Sequence, residues 1–138
     1  MLLENARMNH ACIALLELSQ HWETGRLVKT RDISQENSLP HKYLTQILLQ
    51  LRSAGLVASV RGSRGGFRLA RHPREITLWD VFQAVEGGGQ ESRHRRATPR
   101  EAQRLLASVW KEAADGVRET LERYTFEDLR MAAQVYQI

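Results

Sequence analysis

The residues best suited to chemistry lie between Asn37 and Arg74, where cationic side chains occur without a single Asp or Glu. The seven cations are Lys42, Arg52, Arg61, Arg64, Arg68, Arg71 and Arg74. This stretch has a charge of +7 whereas the whole chain is +4, so the rest of the chain sums to −3. Like charges repel one another, and a phosphate backbone is the commonest partner that supplies the missing negative charge. The stretch is therefore a candidate nucleic-acid surface.

The first half of this stretch has the period of a helix. Apolar residues at i, i+3, i+4 and i+7 predict a buried face, with Pro40 in the first turn and Gly55 at the end. The buried positions are Leu44, Ile47, Leu48 and Leu51. The opposite face near the helix start carries His41, Lys42, Thr45 and Gln46. These polar side chains are candidates for contact with a DNA groove.

The second half predicts a β-hairpin with a cationic tip. Leu56–Val60 enters a glycine-rich turn over Arg61–Gly66, and Phe67–Arg71 leaves it with alternating apolar residues. A helix followed by a basic hairpin is the DNA-contacting half of a winged helix-turn-helix. The helix would enter the major groove, and the tip would place Arg61 or Arg64 on a phosphate or in a narrow minor groove.

Other elements position this half. Helices are predicted over Asn5–Trp22, from an N-cap at Thr30 to about Glu36, and over Ile76–Glu86, where Thr77 and Asp80 resemble a capping box. The short second helix and the Asn37-Ser38 turn complete a helix-turn-helix. The predicted fold class is mainly α with a small β-hairpin (α+β).

A long amphipathic helix is predicted from Thr98-Pro99 to about Tyr124, followed by a final helix to about Tyr136. Its apolar face exceeds what so small a domain needs internally, which suggests pairing with a second copy. The predicted interface comprises Leu105, Leu106, Val109, Trp110, Ala113, Val117 and Leu121. The sequence thus divides into a DNA-binding domain (1–86), a polar basic loop (87–97) and a C-terminal dimerisation segment (98–138).

Cysteine content and hydropathy limit the remaining possibilities. A single cysteine, Cys12, excludes an internal disulfide, and it is either a small buried hydrophobe or a candidate thiol sensor.

No apolar run is long enough to span a bilayer, and the N-terminus lacks signal-peptide features, so a cytoplasmic location is expected. No catalytic constellation or metal-ligand spacing is evident, so we expect neither an enzyme nor a metal site.

Taken together, these segments resemble a family of bacterial winged-helix transcription regulators that includes IscR, NsrR and CymR. The resemblance spans nearly the whole chain and rests on specific motifs. They are Lys42–Leu48, Leu51–Val57, Ser59–Ala70, Ile76–Val81, Val85–Gly87, Trp110 and Tyr124–Leu129.

The resemblance implies a homodimer, held by the long helix, that binds a palindromic operator in double-stranded DNA, and repression is the commoner role. It implies helix contacts through His41, Lys42, Thr45 and Gln46, with Tyr43 near the DNA backbone. It also implies wing contacts through Arg61, Ser63 and Arg64, and phosphate contacts through Arg52 and Arg68.

One departure from the family pattern concerns the iron–sulfur cluster. Cluster-binding members carry three cysteines between the Val85–Gly87 region and the long helix, where this chain has none. At the positions where those members have their last cysteine and a histidine, this chain has Arg104 and Ala107. We therefore predict no cluster and no other cofactor. The basic run Arg93–Arg96 in that segment is a solvated loop, a phosphate contact or a ligand-binding loop.

Two functions from different classes remain. The first is a sequence-specific regulator that responds to an unknown small molecule, a partner protein or the state of Cys12. The second is a winged-helix module for protein interaction, with vestigial or non-specific DNA binding. The acid-free basic stretch and the intact hairpin favour the first.

Overall fold

A computed structural model describes residues 5–87 and 100–136 of the chain. The helices are α1 (Ala6–Gln20), α2 (Thr30–Asn37), α3 (His41–Ser53), a 3₁₀ turn (Pro73–Glu75), α4 (Leu78–Val85), α5 (Glu101–Glu122) and α6 (Phe126–Tyr136). The strands are β1 (Val57–Val60) and β2 (Gly66–Leu69). The α+β class predicted from the sequence is confirmed. No helix in these two ranges is long and apolar enough to cross a membrane.

The apolar stripe of α3 forms the centre of the core. Leu44, Ile47, Leu48 and Leu51 are each at most 1% exposed, as the helical period predicted. The stripe packs against α1, which also contacts α4, α6 and β2. Since the same helix is buried on one side, its polar residues are held on the opposite, outward side.

The turn between α2 and α3 is fixed by hydrogen bonds within the loop. Ser38 adopts a left-handed conformation (φ 54°), and the Leu39 N–H donates to the Ser34 carbonyl at 2.9 Å. Helix α2 begins one residue earlier than predicted, because Lys29 rather than Thr30 is the extended N-cap residue. Helix α3 begins one residue later than predicted, because Pro40 is its extended N-cap residue rather than its first helical residue. The helix-turn-helix itself is as predicted.

The hairpin is antiparallel, with Val57 opposite Leu69 and Val60 opposite Gly66. Its second strand is also bridged by Val28, whose N–H donates to the Phe67 carbonyl at 2.9 Å and whose carbonyl accepts from the Phe67 N–H at 2.8 Å. The segment after α1 is therefore attached to the wing, which couples the hairpin to the helical core.

The C-terminal helix α6 belongs to the same core as α1 to α4. Phe126 is fully buried, and its N–H donates to the Ile76 carbonyl at 2.9 Å. The predicted capping box of α4 is present, with Thr77 N–H to Asp80 Oδ2 at 2.9 Å and Asp80 N–H to Thr77 Oγ1 at 3.2 Å. Thr125 and Asp128 repeat it at the start of α6, with both distances 3.1 Å.

Helix α5 differs from the others because none of its residues is buried. It begins at Glu101 rather than near Thr98, since Arg100 is extended and its N–H donates to Gln103 Oε1 at 3.1 Å. Thr98 and Pro99 lie outside the described residues. The Arg118 guanidinium lies 5.3 Å from the centre of the Trp79 ring, which connects α5 to α4 through a cation–π contact.

A pair of carboxyl groups between α1 and α2 makes stability depend on pH. Three effects raise the pKa of Glu17 to about 7. The largest is its hydrogen bond with the Glu36 side chain, the next is its own burial, and the third is repulsion from the Glu36 carboxylate. Because this folded-state value exceeds the unfolded value of about 4.3, the folded protein binds an extra proton between them, and stability falls as pH rises through that window.

We expect Glu17→Gln to unfold at a higher temperature than wild type at pH 8, with the difference vanishing near pH 4. The effect is small, below about 1 kcal/mol, because the site is largely solvated. Thermal melts of both proteins from pH 4 to pH 8 measure it. A difference between the two proteins that stays constant across pH would contradict the shared proton.

Candidate nucleic-acid interface

The outward face of α3 presents the polar residues predicted for groove contact. His41, Lys42 and Gln46 are exposed, and Thr45 is half-buried with its hydroxyl donating to the His41 carbonyl at 3.0 Å. These four lie in the first two turns of α3, where the initial backbone N–H groups also lack helical partners. This end of α3 therefore combines side-chain and backbone donors that a phosphate or a base edge can use.

Tyr43 lies beside the first helix, which sequence reasoning did not anticipate. The Arg7 Nε–H donates to the Tyr43 hydroxyl at 3.4 Å, and the guanidinium lies 5.9 Å from the ring centre. The His10 ring meets the same ring edge-on, with centroids 5.5 Å apart. Arg7 and His10 thus orient Tyr43 and add a cation next to α3. No local sequence signal marks them, because the contact joins residues more than thirty positions apart.

The hairpin tip places Arg61, Ser63 and Arg64 in solvent. Lys29, which the sequence patterns did not indicate as part of the site, holds this tip, because its Nζ donates to the Ser63 carbonyl at 2.5 Å. Farther from the tip, the Arg52 guanidinium donates to Ser59 Oγ at 3.0 Å and connects α3 to β1. These contacts fix the wing relative to α3, which is what simultaneous contact with two grooves requires.

Six of the seven cations between Asn37 and Arg74 have no carboxylate partner in the described part of the chain. Within residues 5–87 and 100–136, no carboxylate oxygen lies within 4.0 Å of the charged groups of these six exposed cations. They are Lys42, Arg52, Arg61, Arg64, Arg68 and Arg74. Among the described residues, only Arg71 of the seven approaches an acid, with its guanidinium 4.0 Å from an Asp80 carboxylate oxygen. The positive charge of α3 and the wing is therefore available to an external anion.

Cys12 lies on α1 and is partly buried against the core. Burial raises the pKa of its thiol to about 11, so the thiol is protonated at neutral pH. Reactive sensor thiols are instead exposed and have a lowered pKa next to a cation. The geometry thus supports the small-hydrophobe interpretation of Cys12 and gives the thiol-sensor interpretation no support.

The profile of the Rrf2 family, described as "Iron-dependent Transcriptional regulator", matches residues 5–132. The chain belongs to the Rrf2 family. The match confirms the resemblance seen in the sequence. By its family, the chain is a DNA-binding transcription regulator. The relatives in this family are named as transcription regulators and not as enzymes.

Individual Rrf2 relatives match over most of the chain. The chain is 31% identical over 131 residues to the HTH-type transcriptional regulator IscR of Aliivibrio salmonicida, covering 94% of this chain and 77% of that protein. The structure of IscR from T. potens superposes with a TM-score of 0.79 at 30% identity, covering 98% and 90% of the two chains. The structure of CymR, the global cysteine regulator of B. subtilis, superposes with a TM-score of 0.77 at 30% identity, covering 96% of this chain and 98% of that one.

The donor set of this Rrf2 member does not fit a cysteine-ligated iron–sulfur cluster. Such a cluster takes several thiolates, and the chain has one cysteine, whose pKa is raised rather than lowered. Residues 88–99, which include the basic run Arg93–Arg96, lie outside the described residues, and their sequence contains no cysteine. No step in the function proposed below involves a cluster.

Proposed function

We propose that this protein is a homodimeric transcriptional repressor that binds a palindromic operator without an iron–sulfur cluster. The observation that carries this proposal is the set of six exposed cations on α3, the hairpin and the turn after it that have no carboxylate partner in the described residues. Unpaired positive charge on a helix-turn-helix and its wing is matched by the phosphate backbone of double-stranded DNA.

In this proposal α3 lies in the major groove and the wing lies along the adjacent minor groove. His41, Lys42, Thr45 and Gln46 contact base edges and nearby phosphates, and Tyr43 contacts the backbone. Arg61 enters or borders the minor groove, with Ser63 and Arg64 beside it, and Arg52 and Arg68 contact phosphates. Base contacts supply sequence selectivity, whereas phosphate contacts supply affinity and salt dependence.

The exposed face of α5 supports the dimer. Leu105 and Trp110 are about two-thirds exposed, and Leu106 and Val109 about half exposed. Met131 and Val135 of α6, which the sequence reasoning did not include, are also exposed. So much apolar surface on two consecutive helices is typical of surface covered by a second copy. A twofold dimer presents two α3 helices, which is why the expected operator is a palindrome and why binding across a promoter would repress it.

Substitutions of single cations test the DNA contacts. We expect Arg61→Ala to weaken binding at the specific site by about 1–3 kcal/mol, and Lys42→Ala or Arg68→Ala to flatten the salt dependence by about one counterion. Fluorescence anisotropy with the upstream DNA of the gene, over a range of salt concentrations, measures both. Lys111→Ala is the matched control, because Lys111 is exposed on α5 and paired with Asp115.

Equal binding by wild type and Arg61→Ala at all salt concentrations would contradict the assigned wing contact. If all variants also bound random DNA as well as the upstream DNA, the protein-interaction alternative would be favoured instead.

The absence of a cluster has its own test. We expect protein purified under strict anaerobiosis to be colourless and to contain far less than one iron and one sulfide per chain. Metal analysis, acid-labile sulfide assay and the visible absorption spectrum measure this, with a cluster-binding relative purified in parallel as the positive control. Stoichiometric iron and sulfide with visible absorbance would overturn the cluster-free assignment.

A further inference from the structure

A cleft lies between the hairpin and the C-terminal end of α1 with the turn that follows it. Its volume is about 380 Å³, within the range of small-molecule sites. Leu18, His21, Trp22 and Gly25 line it from the α1 side, and Ala58, Arg68, Leu69 and Ala70 line it from the hairpin side. No carboxylate is among these residues. The cleft therefore joins an apolar wall to positive charge, with no internal acid to neutralise it.

The walls of the cleft are fixed by packing. Leu18 and Leu69 are at most 2% exposed, so where they line the cleft its wall is part of the packed core. The Trp22 ring is half-buried and is held on one side by His72, whose ring meets it edge-on with centroids 5.5 Å apart. His72 is itself fixed, because its Nδ1 accepts from the Arg74 N–H at 3.1 Å. A rigid aromatic wall of this kind suits a planar apolar ligand.

The space exists because small residues occupy both sides. Ala58 stands directly across the hairpin from Arg68, Ala70 follows on the same strand side, and Gly25 has no atom within 4 Å of the position that a Cβ would take. A larger side chain at Ala58 or Ala70 would take up part of this space. The Arg68 guanidinium beside this space is exposed and has no carboxylate within 4.0 Å in the described residues.

We propose that this cleft binds a small organic anion, a carboxylate attached to a planar apolar body. The carboxylate pairs with the Arg68 guanidinium, which can donate two parallel hydrogen bonds to it, and the apolar body lies against the Trp22 ring. One consequence rests on the function proposed above. Because Arg68 is assigned to a DNA phosphate, a ligand that holds its guanidinium would weaken DNA binding and act as an inducer.

Titration with 3-phenylpropionate tests the site in the absence of DNA, so its outcome does not depend on whether the protein binds an operator. The neutral isostere 3-phenylpropionamide serves as the matched ligand. The indole N–H signal of Trp22 in a ¹H–¹⁵N NMR spectrum, assigned with Trp22→Phe, reports binding separately from Trp79 and Trp110. We expect a saturable shift of this signal with the acid and an affinity at least about tenfold lower for the amide.

Two variants separate charge from shape. Arg68→Ala is expected to lower the affinity for the acid at least about tenfold, and Ala58→Leu to do the same by filling the space while keeping the cation. Arg74→Ala, which removes an exposed cation that does not line the cleft, should bind the acid as wild type does. Circular dichroism of each variant establishes that it is folded.

Three results would overturn the proposal: equal affinity for acid and amide, equal loss in Arg74→Ala and Arg68→Ala, or no saturable shift of the Trp22 signal. The coupling has a separate outcome. With wild type bound to DNA, 3-phenylpropionate should release the duplex, and with Ala58→Leu it should not. A shift of the Trp22 signal without release of DNA would overturn the inducer role and leave the binding site itself established.

Discussion

Leu106→Glu is expected to convert the proposed dimer into monomers and to weaken operator binding about 100-fold or more. Leu106 is about half exposed, within the apolar stripe of α5, in a helix with no buried residue of its own. A carboxylate placed in a covered apolar interface has no partner for its charge. Each large apolar side chain that is then no longer covered loses about 1.5–3 kcal/mol of burial free energy. The loss in DNA affinity is large because two linked half-site contacts become one.

Analytical ultracentrifugation and anisotropy with the upstream duplex measure the two effects. Ser108→Glu is the matched control, since it adds the same charge to an exposed position on the other side of α5. The control should remain a dimer with wild-type affinity. A dimeric Leu106→Glu, or a Ser108→Glu that dissociates equally, would show that this face of α5 is not the interface.

Gly65→Ala is expected to disrupt the wing and to lower specific DNA affinity at least about tenfold. A Cβ on Gly65 would lie 2.0 Å from the Val60 carbonyl oxygen and 2.9 Å from the Arg61 carbonyl carbon. Both are backbone atoms, so the tip cannot relieve the clash by rotating a side chain. It must open, which displaces Arg61 and Arg64 together, and each such contact is worth about 1–3 kcal/mol at a specific site.

Gly62→Ala provides the matched control within the same turn. Gly62 has a φ of 111°, and nothing lies within 4 Å of its would-be Cβ, so an alanine there adds backbone strain without a clash. We expect its affinity to lie between those of wild type and Gly65→Ala. Binding is measured by anisotropy and stability by thermal melting. Wild-type binding by Gly65→Ala, or a larger loss in Gly62→Ala, would contradict the role of the closed tip.

Local patterns in the sequence predicted the elements that carry the proposed function. The stripe of Leu44, Ile47 and Leu48 follows the helical period, and such a period depends only on neighbouring residues. The Thr77–Asp80 capping box and the glycine-bearing hairpin turn are likewise local devices, and the structure contains both. The helix-turn-helix and the wing could therefore be placed to within a residue or two.

Other features could not be predicted because they depend on contacts between distant segments. The Arg7–Tyr43 contact and the Lys29–Ser63 hydrogen bond each join residues more than thirty positions apart. The start of α5 was misplaced because Thr98-Pro99 is a strong local signal, whereas Gln103 stabilises a start at Glu101 through the Arg100 N–H. The cleft next to Arg68 likewise depends on small residues from three separate segments.

The measurement that tests the central claim most directly is a salt titration of binding to the DNA upstream of the gene, with random duplex of equal length for comparison. We expect the upstream DNA to bind about 10³-fold or more tightly than random DNA at physiological salt. Both affinities should fall as salt rises, because both complexes release counterions from the same cations. Equal and steeply salt-dependent binding to the two duplexes would contradict a sequence-specific regulator of its own upstream region.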